Sequence, residues 1–198
     1  MTKAVFKLGL IFILASIMTL GTGCSKSKDA TKKIDIKMIT PENVHGVMAP
    51  DDNNIWITGN YGTIHHSSDG GETWIKQDSK IEKGILCDGI FLDNKTGWVV
   101  GTYGTIIHTS DSGETWTKLN TGTDRHLFGI FFLNKDLGCA VGEWGTIIHT
   151  KDGGKTWNSQ FEEADKALNN IAFYDENIGW AVGEQGTKIG RASCRERV

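Results

Sequence analysis

Hydrophobic residues in this chain fall in short runs separated by clusters of glycine, aspartate, serine and threonine. Past an apolar stretch from Leu8 to Leu20, no window repeats at the spacing of an amphipathic helix. The runs copy one another. Gly97-Trp98-Val99-Val100-Gly101, Gly138-Cys139-Ala140-Val141-Gly142 and Gly179-Trp180-Ala181-Val182-Gly183 recur at steps of 41, and Asn54 to Gly59 is the same element 42 residues before the first of them. Each leads to a Gly-Thr pair (Gly62-Thr63, Gly104-Thr105, Gly145-Thr146, Gly186-Thr187) and then to an apolar stretch such as Ile106-Ile107-His108. Several short β-branched and aromatic runs per repeat of this length predict β-propeller blades.

The third repeat predicts a four-stranded blade most clearly. Strand A spans 130–133, B 139–142, C 146–150 and D 155–160, the last at the outside. Paired glycines at Gly142 and Gly145 are expected to take positive φ in the B–C turn. The C–D turn carries the most specific motif of the chain, Ser/Thr-x-Asp-x-Gly-x-Thr-Trp, at 67–74, 109–116 and 150–157. In this Asp-box the aspartate (Asp69, Asp111, Asp152) accepts hydrogen bonds from its own turn, and the tryptophan (Trp74, Trp116, Trp157) covers the corner. Three equivalent aspartates in three blades would define three separate sites, so the motif reads as structural.

The expected organisation is an all-β propeller fragment of four-stranded blades, three complete and a fourth begun, over residues 41–188. Residues 1–23 have the charged start, apolar run and small residues of a bacterial export signal. Gly21-Thr22-Gly23-Cys24 resembles the lipobox of bacterial lipoproteins, which makes Cys24 the lipidated first residue of the mature chain and 24–40 a polar tether. Residues 189–198, with Arg191, Arg195 and Arg197, are similar to the translation of a short-read sequencing adapter and are expected to be an artefact.

Charge then narrows the partners. The chain carries 21 basic and 24 acidic residues, and without the leader and tail the remainder is more acidic still. An acidic body with no basic stripe argues against nucleic acid. Cys87 and Cys139 alone are left as unmodified cysteines of an exported chain, so no disulfide framework is indicated. His66, His108 and His149 occupy equivalent places in successive blades about 10 Å apart, too far to share a metal, and no metal or other cofactor is expected. Trp56, Trp98 and Trp180 share one strand B slot, filled by Cys139 in the third blade, which reads as core between blades.

The Asp-boxes joined to the Gly-Trp-x-Val-Gly-x-x-Gly-Thr-Ile-x-His-Thr string resemble the photosystem II stability/assembly factor family over about 44–187. The resemblance implies a seven-bladed, exported and often lipidated propeller that assists assembly of a membrane protein complex through a surface with prominent arginines. Here Arg125 is the one arginine outside the tail. A sialidase-like glycoside hydrolase is the alternative, but its substrate carboxylate is gripped by three arginines. A non-catalytic scaffold with a protein partner, or a glycan, is therefore expected. The B–C and D–A loops should share one rim, where Tyr61, Tyr103 and Trp144 recur at one turn position beside Asn60, Glu143, Arg125 and His126. The expected location is the periplasmic side of the envelope, at the outer membrane by resemblance of Ser25 to known sorting preferences.

Overall fold

A computed structural model of the chain describes residues 40–160 and 165–190. The leader at 1–23, the lipobox Cys24 with its tether, and the tail from Arg191 lie outside them. Three four-stranded antiparallel sheets follow one another, each in simple meander order. The first holds β1 (Val44–Met48), β2 (Ile55–Gly59), β3 (Ile64–Ser67) and β4 (Ile75–Gln77). The second holds β5 (Leu86–Phe91), β6 (Gly97–Gly101), β7 (Ile106–Thr109) and β8 (Thr117–Lys118). The third holds β9 (Leu127–Phe132), β10 (Gly138–Gly142), β11 (Ile147–Thr150) and β12 (Asn158–Ser159). A three-stranded sheet of β13 (Leu168–Phe173), β14 (Gly179–Gly183) and β15 (Lys188–Gly190) completes the described residues. These are propeller blades.

The second strand of each complete blade is apolar on both faces because both faces are covered. In β6 every residue is buried, and the two-residue period sends neighbours to opposite blades. Val99 joins Met48, Trp56 and Ile64 of the first blade, whereas Trp98 and Val100 join Leu127, Ile130 and Phe132 of the third. Aromatic rings set the spacing between sheets. Trp56 lies between His66, stacked at 4.0 Å, and Phe91 of the next blade at 3.8 Å. Trp98 repeats this against Phe132 at 3.8 Å. In the third blade Cys139 fills the slot, and Phe131 packs toward Phe173 at 5.9 Å.

Four expectations need correction. Strand A of the third blade starts at Leu127, because a bulge at Phe128 lets pairing resume at Leu127–Gly142. Strand C begins at Ile147 because Thr146 closes the preceding turn, its N–H donating to the Glu143 carbonyl at 3.0 Å. Strand D shrinks to Asn158–Ser159, because the Asp-box claims Thr156 for its own hydrogen bonds. Trp180 is not core: it is 43% exposed, since no described residue packs over that face as Phe91 and Phe132 do over Trp56 and Trp98. The last strand runs along β14 with Ile189 opposite Ala181 and Gly190 opposite Trp180. Cys87 and Cys139 do not form a disulfide, and burial pushes the Cys87 thiol up to about 11.

Candidate functional site

The B–C turns are four copies of one geometry. Asn60-Tyr61-Gly62-Thr63, Thr102-Tyr103-Gly104-Thr105, Glu143-Trp144-Gly145-Thr146 and Glu184-Gln185-Gly186-Thr187 are each closed by the threonine N–H on the first residue's carbonyl, at 3.0, 3.3, 3.0 and 2.9 Å. The two middle residues have positive φ in every copy: 54° and 65° in the first, 57° and 62° in the second, 56° and 70° in the third, 53° and 75° in the fourth. This is a type I′ turn. The expected pairing of Gly142 with Gly145 is therefore wrong. Gly142 is extended at φ −172°, and what demands a glycine there is close approach, since a Cβ would lie 1.9 Å from the His126 carbonyl oxygen. Gly145 does take positive φ, and its left-handed partner is the aromatic, Trp144.

A bulky side chain in that conformation costs about 1–2 kcal/mol, and type I′ turns ordinarily place asparagine, aspartate or glycine there. The rings do not offset the cost by burial: Tyr61 is 72% exposed, Tyr103 63% and Trp144 53%. Local strain and exposed aromatic surface coincide three times at one position.

Hydrogen bonds tie each turn to the D–A loop on the same rim. Ser79 donates to the Gly62 carbonyl at 2.7 Å and Thr121 to the Gly104 carbonyl at 2.8 Å. Gly104 N–H donates to the Arg125 carbonyl at 2.9 Å, and Tyr103 N–H to His126 Nδ1 at 3.0 Å. The Tyr103 ring stands edge-on to His126 at 5.0 Å, and His126 N–H donates to Glu143 Oε2 at 3.4 Å. Tyr103, Arg125, His126 and Glu143 are thus neighbours, with Tyr61 and Trp144 in the adjoining blades.

Three open notches line this rim. One of about 340 Å³ is bordered by Tyr61, Lys76, Asp78 and Ser79, and one of about 440 Å³ by Tyr103, Lys118, Asn120 and Asp124. A third of about 340 Å³ lies among Phe128, Glu143, Trp144, Asp165, Asn169 and Glu184.

Sequence reasoning missed the second residue of each inner strand. The β1–β2, β5–β6, β9–β10 and β13–β14 ladders all carry an irregularity at the same place. It marks out His45, Cys87, Phe128 and Asn169, and bulges commonly re-aim side chains at rims. His45 Nε2 meets Asn60 Oδ1 at 2.8 Å, and Phe128 lies 6.5 Å from His126. The available signal was the glycine ending each strand B, since a Cβ at Gly59, Gly101, Gly142 or Gly183 would overlap the carbonyl oxygen of the residue just before the inner strand. Asp88 was missed as well. Burial raises its pKa, and its carboxylate accepts from Ile130 N–H of the next blade at 3.3 Å.

The Asp-boxes have a different chemistry. Asp69, Asp111 and Asp152 each accept from the backbone N–H of the threonine four residues on at 2.9 Å, and from its hydroxyl at 2.5, 2.6 and 2.6 Å. They also accept from the preceding Ser67, Thr109 and Thr150 hydroxyls at 2.7, 2.7 and 2.8 Å. The threonine hydroxyls above all hold Asp69 and Asp152 down at about 2 and keep Asp111 below the usual carboxylate range. A carboxylate so engaged has no proton to give as a general acid near neutrality. Trp74 donates to the Gly71 carbonyl at 3.0 Å. Trp116 donates to Gln77 of the preceding blade at 3.3 Å, and Trp157 stands edge-on to Phe132. His66, His108 and His149 sit on β3, β7 and β11 of separate blades, and no group of three potential ligands with metal-binding geometry occurs among the described residues.

The sequence profile of the family described as photosynthesis system II assembly factor YCF48 matches residues 25–125 and 77–163. Among solved structures, YCF48 bound to a D1 peptide is similar with a TM-score of 0.63 and 24% identity, covering 75% of this chain and 49% of that one. YCF48 from Cyanidioschyzon merolae is similar with a TM-score of 0.61 and 18% identity, covering 76% and 53%. An ancestral GH74 enzyme has a TM-score of 0.57 at 14% identity over 75% of this chain and 25% of that one, a likeness of fold alone. No curated protein sequence matches. The chain spans about half the length of the two solved YCF48 proteins.

Proposed function

Since the chain belongs to the photosynthesis system II assembly factor YCF48 family, we propose that it is a non-catalytic scaffold whose B–C rim binds a polypeptide of a membrane or envelope protein complex. The observation that carries this reading is the threefold recurrence of an exposed aromatic residue in a strained turn position, at Tyr61, Tyr103 and Trp144. A rigid ring can bury much apolar area at small entropic cost when a partner docks, and strain retained at one repeated place fits a functional demand. A YCF48 solved with a D1 peptide supports a polypeptide as the class of partner.

The glycosidase alternative draws only on fold likeness. The Asp-box carboxylates are engaged in their own turns, and Arg125 is the one arginine among the described residues. Export behind residues 1–23 and anchoring through Cys24 on the periplasmic side, at the outer membrane, complete the proposal.

Two experiments test it. The tagged full chain, retrieved from its host's detergent-solubilised envelope, should carry an integral or membrane-associated protein with it and hydrolyse no sialoside or other glycoside in a parallel screen. Turnover that depends on a single carboxylate would overturn the reading. Cys24→Ala should release the protein from the membrane fraction and abolish labelling by a fatty-acid analogue. Equal labelling of wild type and variant would remove the anchor.

A further inference from the structure

The notch between the third and fourth blades differs from the other two in its charge. Lys76 stands with Asp78 in the first and Lys118 with Asp124 in the second. Among the described residues lining the third, the charged ones are Glu143, Asp165 and Glu184, all acidic. Its walls include two aromatic rings: Trp144, 53% exposed at the left-handed turn position, and Phe128 at the inner-strand bulge.

The two glutamates are the same residue of the same turn in consecutive blades, where the first and second blades carry Asn60 and Thr102. Each is held from behind by one oxygen, Glu143 Oε2 accepting from His126 N–H and Glu184 Oε2 from Ala167 N–H, both at 3.4 Å. Both carboxylates therefore belong to the notch that the exposed Trp144 also lines.

We propose that this notch seats the cationic side chain of an arginine or lysine presented by the polypeptide partner, an inference that rests on the rim being the binding surface. A cation over an indole face gains from the ring quadrupole, and flanking carboxylates add charge-assisted hydrogen bonds, bidentate for a guanidinium. At about 340 Å³ the notch is at the small end of ligand-holding clefts. A bare metal ion fits poorly, because a hard cation needs several oxygens within about 2.3–2.6 Å and the described carboxylates here do not converge as a group that could hold one.

The test uses the full chain with ¹⁵N-labelled tryptophan, the Trp144 indole signal being assigned by its loss in Trp144→Phe. A blocked Gly-Arg-Gly-Arg-Gly peptide is titrated beside a blocked Gly-Glu-Gly-Glu-Gly peptide. The arginine peptide should shift the Trp144 signal saturably and more weakly as salt rises, while the glutamate peptide leaves it in place. Glu143→Gln with Glu184→Gln, other indole signals unmoved, should weaken binding by about three- to thirtyfold. The proposal is overturned if the glutamate peptide binds equally, if no saturable shift reaches Trp144, or if removing both carboxylates changes nothing. Should the cationic seat fail while the ring variants still lose the envelope partner, the rim stands and only its charge preference falls. If the rings prove irrelevant to capture, the rim itself falls.

Discussion

The conspicuous acidic residues of this chain, one per Asp-box, serve their own turns. Asp152 is held at about 2 chiefly by the Thr156 hydroxyl and then by Thr156 N–H. Its pKa in the fold is therefore below the ordinary value of 3.8. The stabilisation is present above about pH 4 and is lost as pH falls toward 2, where the folded carboxylate takes up its proton. Burial holds His66 and His108 below 6.5, which acts in another window. The unfolded chain binds those protons first, so stability declines as pH falls below 6.5. Urea denaturation stepped through pH should record both limbs. Asp152→Asn should lower stability at pH 5 and flatten the fall between about pH 4 and 2, leaving the histidine limb in place. An unchanged acid limb in the variant would refute the role given to the Asp-box carboxylates. The motif was legible from residue types alone because all its partners lie within a few positions in sequence.

At the scale of elements, the apolar strand B and the step of 41 residues were enough to predict three four-stranded blades and the order of strands in the third. The errors arose where a local hydrogen bond outranks pattern. Strand D is short because Thr156 belongs to the Asp-box, and strand A is long because a bulge at Phe128 restores pairing at Leu127. Single-sequence periodicity encodes neither. Trp180 was read as core by analogy with Trp56 and Trp98, yet burial in that slot depends on a ring of the following blade, Phe91 over Trp56 and Phe132 over Trp98. That dependence can be measured. Trp98→Ala opens a cavity against Phe132 and should cost about 3–5 kcal/mol, whereas Ile75→Ala, on the edge strand of the first blade at a side chain 69% exposed, should cost under about 1 kcal/mol. Equal losses in thermal or chemical denaturation would contradict the interblade packing described here.

For the whole molecule, the meander order brings B–C turns and D–A loops to one rim, so residues far apart in sequence become neighbours, as Tyr103, His126 and Glu143 do. Sequence repetition located the rings, but it gave no sign that they occupy the left-handed region themselves. That geometry separates two explanations for them. Rings kept for the fold would destabilise it when removed; rings kept for a partner are a burden on the turn that only binding justifies. Asparagine suits a type I′ turn, so the direct measurement is the triple variant Tyr61→Asn, Tyr103→Asn, Trp144→Asn, assayed for melting temperature and for capture of the envelope partner by the full chain. The account predicts a melting temperature equal to or above wild type together with loss of capture. A lower melting temperature with capture intact would contradict it.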